Sequence, residues 1–185
     1  MTINAELKSK YIKGTWKIDP AHSEVSFSVR HLMIAKVRGV FEKVDLTIVT
    51  PEDPKNTTIE AVIDVASVNT NQSDRDNHLR TSDFFLIEEH PTMTFNSTSL
   101  AVDRENFTVE GTLTLRGVTK PVTLKGEFGG LIVDGYGQTK AGATATTTIN
   151  RHDFGVSWNA ALEAGGMTLG DNVKIDIDIQ VVLQK

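Results

Sequence analysis

Apolar and polar residues alternate along most of the chain, and the stretch from Ser23 to Leu32 shows this most clearly. Its apolar positions share one parity and its polar positions share the other: Val25, Phe27 and Val29 against Ser26, Ser28 and Arg30. Because successive side chains of a β-strand point to opposite faces, this period of two predicts a strand with one buried face. Pro20 lacks the N–H that a central strand needs and predicts a turn or kink leading into it.

The same alternation recurs along the chain, so about eight substantial strands are expected. They are predicted around residues 14–18, 23–32, 37–49, 59–65, 93–95, 107–115, 118–128, 139–149 and 173–183, the first of them short. In the run over 37–49, Val40 shares the parity of Val44 and Leu46, and Phe41 breaks it beside Gly39 as a β-bulge or glycine kink would. The glycine-rich segment 126–130 is predicted to be a turn at a strand end.

Two segments depart from this pattern. Ser73 and Asp76 have the spacing of a capping box, with Ser73 as the N-cap, and predict a short helix over about residues 74–82. Residues 150–159 are predicted to form a loop, followed by a helical turn over 160–164. The chain is therefore expected to be an all-β domain with one early helix and one irregular late segment.

The number of strands and the length of the chain fit one domain, with residues 1–13 as a polar lead-in and residues 14–185 as the domain. A closed barrel and a two-sheet sandwich both satisfy the pattern. Ala141, Ala143 and Ala145 share one face and are too small to fill the centre of a barrel. Either phenylalanines of the opposite wall fill the interior, or the barrel contains a cavity.

Charge and composition narrow the classes of partner. The formal net charge is −5, and the basic residues are spread along the chain, which argues against nucleic acid or an anionic membrane surface as the main partner. The chain has no cysteine, so disulfides and thiolate chemistry are excluded. Nothing approaches the ~18 apolar residues of a stable membrane span, and the first ten residues lack the apolar run of a secretory signal. We expect a cytoplasmic protein, or a periplasmic or extracellular one if a leader has been removed.

The sequence contains no motif of nucleophilic, phosphate-binding or zinc-dependent catalysis, so no catalytic residue, cofactor or metal ligand is predicted. His31 shares the parity of Val25 and Phe27. It is therefore either a core histidine bonded to a backbone carbonyl or a polar contact for a ligand.

A polar cluster is also predicted at the mouth of a barrel. Arg75 and His78 share a face of the predicted helix, and Arg151 and Asp153 lie in the late loop. Such a cluster either ties the helix and loop to the rim or supplies acid and base groups.

Several short motifs occur together and in order between residues 14 and 184. They are Asp19-x-x-His22-Ser23, Gly39-x-Phe41, Arg75-x-x-His78-Leu79-Arg80, Asp83-Phe84-Phe85, Pro91-x-x-x-Phe95-x-Ser97, Gly111-x-Leu113 and Asn150-Arg151-x-Asp153-Phe154-Gly155. In this combination the chain resembles the YceI-like family of polyisoprenoid-binding proteins. The resemblance implies a lipocalin-like, extended eight-stranded antiparallel barrel with a short α-helical cap, a long apolar pocket for an isoprenoid chain, and a homodimer.

The resemblance also favours the cavity over the filled interior. It implies a non-catalytic carrier or store for a polyisoprenoid or isoprenoid quinone lipid. The ligand-binding residues expected on this basis are Phe27, Val29, His31, Phe41, Phe84, Phe85, Phe95, Ala143, Ala145, Phe154 and Trp158. The alternatives are an enzyme acting on such a lipid at the barrel mouth and a protein-interaction module with a filled core.

Overall fold

The computed structural model describes residues 11–185, so most of the predicted polar lead-in lies outside the described residues. Within residues 11–185 there is one α-helix, α1 (Ser73–Arg80). The strands are β1 (Gly14–Ile18), β2 (Glu24–His31), β3 (Ala35–Phe41), β4 (Val44–Thr50), β5 (Thr58–Asp64), β6 (Val68–Asn69), β7 (Thr92–Asp103), β8 (Asn106–Leu115), β9 (Val118–Val133), β10 (Thr139–Asn150) and β11 (Leu169–Leu183).

Several short strands continue one another across a kink. β11 pairs with β2 along its first part and with β1 at its end, so β1 and β2 form one bent line, broken by the 3-10 turn Pro20–His22. β3 and β4 form a second bent line, because β3 pairs with β2 and β4 pairs with β1. β5 and β6 form a third, because β5 pairs with β4 and β6 pairs with β3. Pairing of Trp16 with Leu183 joins β1 to β11 and closes the sheet. The predicted eight-stranded antiparallel barrel with a short helix is confirmed, and the sandwich is excluded.

The two ends of the barrel differ. We call one the capped end: it carries the β2–β3 hairpin turn, α1 and the long connection over residues 151–168. The other is the mouth end, with the turns between β4 and β5, between β7 and β8, and between β9 and β10. Val65, Val68 and Phe154 are at most 2% exposed and form a dry layer towards the capped end.

The region predicted as one run over 37–49 consists of two strands, with Glu42 and Lys43 between them. Phe41 is buried in the core, whereas Val40, predicted to share the face of Val44 and Leu46, does not pack there. The two-residue interruption changes the parity, so that Phe41 and Val44 both pack in the core.

Three local predictions are wrong. Residues 126–130 lie inside β9, where Gly130 pairs with Gly142 but Phe128 pairs with Ala143, so Gly129 is the extra residue of a β-bulge. Residues 160–164 form no helical turn, because Ala161 bridges to Met167 in a small hairpin loop. Gln72, and not Ser73, caps α1: its side-chain oxygen accepts from the Arg75 N–H at 2.5 Å.

Candidate functional site

The interior of the barrel holds a cavity of about 350 Å³. It runs from the level of Ile63 and Leu113 to Thr50 and Glu105 at the mouth end. Residues from the helix, the β2–β3 hairpin turn and the connection over 151–168 do not line it. A volume in this range is typical of sites for small molecules, which are about 300–1,000 Å³.

One wall of the cavity is built from alanines. Ala141, Ala143 and Ala145 of β10 line it, and each pairs with a larger β11 residue that also lines it: Val181, Ile179 and Ile177. Because an alanine side chain reaches only one carbon from the backbone, this wall leaves space that leucine or phenylalanine would occupy. Of the two alternatives for the alanine face, an interior filled by phenylalanines and a cavity, the structure therefore shows the cavity.

The lining is mostly apolar, and its polar side chains away from the mouth are the threonines Thr144 and Thr147 of β10. Its charged side chains within the described chain are Lys55 and Glu105, in the turns that border the opening. Trp16, at the same end, donates from Nε1 to Thr50 Oγ1 at 3.0 Å, and Tyr11 donates its hydroxyl proton to the Pro51 carbonyl at 2.7 Å. These bonds hold two aromatic side chains in place at the mouth without placing an acid or base deep in the cavity.

The structure places three of the predicted ligand-binding residues in the lining: Phe95, Ala143 and Ala145. Phe27, Val29, Phe84 and Phe85 do not line this cavity. Only Val25 of β2 lines the cavity, because the rest of that strand continues past it towards the capped end. A role of Phe27, Val29, Phe84 and Phe85 in ligand binding stays a prediction.

The remaining predicted residues lie at or near the capped end. Phe41 lies between Phe27 and Phe85, with ring centroids 5.5 and 6.0 Å apart, and Phe154 is 1% exposed. Trp158 packs against Phe84 at 5.4 Å. His31 pairs with Ala35 at the end of the β2–β3 hairpin, away from the cavity lining. Phe41, Phe154 and Trp158 pack in the core towards the capped end, whereas His31 is half-buried at the hairpin and is not part of the core.

Most residues of the cavity wall are not among the predicted ligand-binding residues. β4 and β5 supply Leu46, Ile48, Ile59 and Ala61. Their period of two predicts strands and also indicates that these residues face inward. Nothing local distinguishes an inward residue beside the cavity from one beside the packed end.

The predicted polar cluster does not assemble. Arg75 donates from Nε to Thr70 Oγ1 and from NH2 to the Thr70 carbonyl, both at 2.8 Å. His78 Nε2 lies 2.7 Å from the Asp83 carboxylate, and its ring meets Phe84 edge-on. Neither side chain borders the cavity.

Arg151 is a structural residue of the cap. It is 4% exposed and donates to the carbonyls of Gly170, Val156 and Trp158, each at 2.8 Å. Burial lowers the pKa of its guanidinium, and Asp171 partly opposes this effect. The three bonds fix the course of the connection over residues 151–168.

An ion network crosses the outside of the barrel near the mouth. Lys140 Nζ lies 3.1 Å from Asp19 and 3.4 Å from Asp134, and His22 Nδ1 lies 3.0 Å from Asp19. The hydrogen bonds from His22 and Lys140 lower the pKa of Asp19, and the bond to Asp19 raises the pKa of Lys140. The network joins β10 to the corner between β1 and β2 across β11.

No group of three or more His, Cys, Asp or Glu residues in residues 11–185 has the arrangement of a metal site. No helix in that range is long and apolar enough to cross a membrane.

Comparison with known proteins gives a consistent family. A UPF0312 protein of Staphylococcus aureus is 37% identical over 160 residues, which cover 85% of this chain and 91% of that protein. The crystal structure of a Campylobacter jejuni YCEI protein is 31% identical, with a TM-score of 0.70 over 84% of this chain and 90% of that one.

A polyisoprenoid binding domain from Saccharophagus degradans shares the fold at 16% identity, with a TM-score of 0.70 over 94% of this chain and 100% of that one. The model of the YceI-like domain matches residues 16–181, which is most of the barrel and its cap. The chain therefore belongs to the YceI-like domain family.

Proposed function

We propose that this protein binds a long-chain polyisoprenoid or isoprenoid quinone lipid in the barrel cavity, as a non-catalytic carrier or store. The observation that carries the proposal is the cavity itself: its walls are mostly apolar, and its charged side chains, Lys55 and Glu105, are at the mouth. This distribution suits a ligand with an apolar tail inside and a polar head at the opening.

The driving force would be the removal of the tail from water. Each CH₂ group buried contributes about 0.8 kcal/mol, so ten such groups contribute about 8 kcal/mol gross. Ordering a flexible tail and losing its free motion offset part of this. Because the force is non-directional, the cavity would select a slender apolar chain, and the mouth would contribute what selectivity there is for the head group.

The fold neighbour from Saccharophagus degradans supports this class of ligand, since it is a polyisoprenoid binding domain with the same barrel. A binding role rather than catalysis is supported by the positions of the candidate acid and base groups: Arg75, His78 and Arg151 are outside the cavity lining, and their polar contacts are local. The homodimer implied by the resemblance is part of the proposal, and light scattering of the purified protein measures it.

Gentle-ionisation mass spectrometry of the protein as purified, together with organic extraction and lipid analysis of the same sample, tests the proposal. We expect an apolar adduct that extracts as an isoprenoid. A clean apo mass that persists after incubation with prenyl lipids would refute the carrier function and favour an interaction module.

Enlarging the alanine wall should remove the binding capacity. In Ala143→Phe the added ring would occupy space that the lipid needs, so we expect prenyl-lipid uptake to fall. The expected decrease is about tenfold or more, which corresponds to a loss of roughly 1.4 kcal/mol of binding free energy. Thr148→Phe is the matched control, because Thr148 is an exposed residue of the same strand and does not line the cavity. Equal uptake by both variants and the parent would show that the ligand does not occupy this space.

A further inference from the structure

The β2–β3 hairpin at the capped end exposes a group of large apolar side chains. Leu32, Met33 and Ile34 are 39%, 61% and 83% exposed. The Ile34 N–H donates to the His31 carbonyl at 3.2 Å, which closes a turn whose two central residues, Leu32 and Met33, have φ of 53° and 62°. Turns of this kind strongly prefer asparagine and glycine, because bulky side chains are strained at positive φ. The chain thus places two bulky apolar residues at strained positions and leaves them facing water.

A second loop extends this surface. The Leu32 N–H donates to the Thr168 carbonyl at 2.8 Å, and Gly166 lies so close to Met33 Sδ that no Cβ would fit between them. Met167, in the same loop, is 46% exposed. The hairpin and the loop therefore form one continuous surface. We call it the apolar tip and define it as Leu32, Met33, Ile34 and Met167.

Positive charge borders the apolar tip. Arg30, Lys36 and Arg38 are exposed, and none of them forms an ion pair with any residue in the described range 11–185. The segment from Arg30 to Arg38 contains no carboxylate, and the neighbouring loop contributes one, Glu163. Arg38, three residues into β3, also lines a groove that contains the carboxylates of Glu24, Asp176 and Asp178, so Arg30 and Lys36 are the basic residues next to the turn. A chain with a formal net charge of −5 thus has a locally basic hairpin around an apolar surface.

We propose that the apolar tip and the basic residues Arg30, Lys36 and Arg38 form a peripheral docking site for the surface of an anionic lipid bilayer. Apolar side chains that enter the headgroup region, beside Lys and Arg that attract anionic lipids, are the combination by which proteins bind membranes without spanning them. The site is at the opposite end of the barrel from the cavity mouth, so it does not depend on the ligand proposed for the cavity.

The turn between β9 and β10 at the mouth end gives a natural comparison. Its strand ends and tip expose Ile132, Val133 and Tyr136 at 62%, 65% and 93%. The neighbouring cation, Lys140, is bound to Asp19 and Asp134. This turn is therefore apolar and exposed, but it lacks the free positive charge of the β2–β3 hairpin.

Sedimentation with lipid vesicles tests the proposal. The purified protein is mixed with vesicles of phosphatidylcholine alone or with phosphatidylglycerol added, at low and at high salt. We expect binding to the phosphatidylglycerol vesicles that weakens as salt rises, because screening reduces the attraction between the basic residues and the headgroups. We expect binding to fall about tenfold or more in Met33→Ser/Ile34→Ser and in Lys36→Gln/Arg38→Gln, because each pair of changes removes one of the two attractions.

Ile132→Ser/Tyr136→Ser is the matched control and should bind vesicles like the parent protein. The proposal is overturned if the parent does not bind phosphatidylglycerol vesicles, if binding is equal on neutral vesicles, or if the control loses as much binding as Met33→Ser/Ile34→Ser. It is also overturned if light scattering shows a dimer that Met33→Ser/Ile34→Ser dissociates, since the tip would then bind a second copy of this chain. Extracted lipid content should be the same in all these variants, which keeps the outcome separate from that of the cavity.

Discussion

Glycines under phenylalanine rings are the residues at which the barrel wall has least room. A Cβ on Gly111 would lie 2.5 Å from the Phe95 ring and 2.5 Å from the Asn96 carbonyl oxygen. A Cβ on Gly39 would lie 2.5 Å from the Phe27 ring. The absence of a Cβ on one strand thus allows an aromatic ring on the next strand to approach its backbone closely. Phe95 lines the cavity, so Gly111 shapes the cavity wall through its neighbour.

Replacing Gly111 by alanine should therefore destabilise the fold. We expect Gly111→Ala to reduce the free energy of unfolding by about 1–3 kcal/mol, the usual effect of overpacking, because a carbonyl oxygen limits how far the new methyl group can move. Urea denaturation measures the change.

Gly135→Ala is the control. A Cβ there meets no atom within 4 Å, and its φ is outside the left-handed range. We expect this variant to unfold within a few tenths of a kcal/mol of the parent. If Gly111→Ala is equally stable, the close packing against Phe95 does not constrain that position.

At the scale of single elements, α1 is held to the barrel by its polar groups. Asp76 is 8% exposed and accepts from the Thr70 N–H at 2.9 Å and the Thr70 hydroxyl at 2.5 Å. Arg75 donates to the same residue from the other side. Leu79, which is only partly buried, is the one apolar residue of α1 that packs against the core, and the one buried residue of the helix is Asp76. The helix therefore depends on this small network to a degree that a helix with a broad apolar face would not.

Removing the Asp76 carboxylate should release the helix. We expect Asp76→Ala to cost about 3 kcal/mol, since hydrogen bonds to a charged group contribute about 1.5–3 kcal/mol and the Thr70 N–H would lose its buried partner. Hydrogen exchange of the α1 amides and urea denaturation measure the local and the global effect.

Asp74 provides the comparison on the same helix, because it is exposed in the first turn. Asp74→Ala should cost less than about 1 kcal/mol, the contribution of a carboxylate near a helix N-terminus. Similar losses in both variants would mean that the bonds to Thr70 do not anchor the helix.

Elements differ in how far the sequence could predict them. Alternation is a local property, so β2, β5 and β10 could be predicted within a few residues of their bounds. The bulge at Gly129 could not, because it depends on the pairing of β9 with β10, and a glycine-rich stretch on its own also fits a turn. The N-cap was misplaced by one residue because the side chain of Asp76 bonds Thr70 rather than completing a capping box with Ser73.

The site shows a similar division. Ala143 and Ala145 were predicted from their small size on an inward face, a signal that the sequence carries directly. Phe27 and Phe84 do not line this cavity, and the sequence could not show this, because parity gives the face of a side chain but not its level along the barrel axis. That level depends on the register of strands far apart in the chain, such as β2 against β11.

At the scale of the whole molecule, the network of Asp19, Lys140 and Asp134 ties the barrel wall across β11. Because the pKa of Asp19 is lowered in the folded state, its stabilising effect is fully present above the unfolded pKa of about 3.9. It is lost as the pH falls through the lowered value. Because the pKa of Lys140 is raised, its effect is present below about pH 10.4 and is lost as the pH rises through the raised value.

Asp19→Asn should therefore lower the thermal midpoint over a broad neutral range. We expect a loss of roughly 1 kcal/mol, or about 2–4 °C for a chain of this size, that disappears in strong acid, where the parent has lost the charge as well. Scans of thermal unfolding against pH measure it. Asp45→Asn is the control, since Asp45 and Lys17 form an exposed ion pair with 3.6 Å between the charged atoms. If Asp45→Asn lowers the thermal midpoint at neutral pH as much as Asp19→Asn does, the special role of Asp19 is contradicted.

The pairing of β1 with β11, which closes the barrel, joins the first and last strands and so cannot form early in synthesis. The ribosome releases β1 long before β11, and Trp16 cannot meet Leu183 until the whole of β11 has emerged. Contacts between such distant parts of a chain form late and slowly, because a long loop must close first. Until then β1 can pair only with β4, and the alanines of β10 lack their partners on β11. The cavity thus cannot be complete until β11 has been synthesised, and any ligand that depends on the full wall must enter after that point.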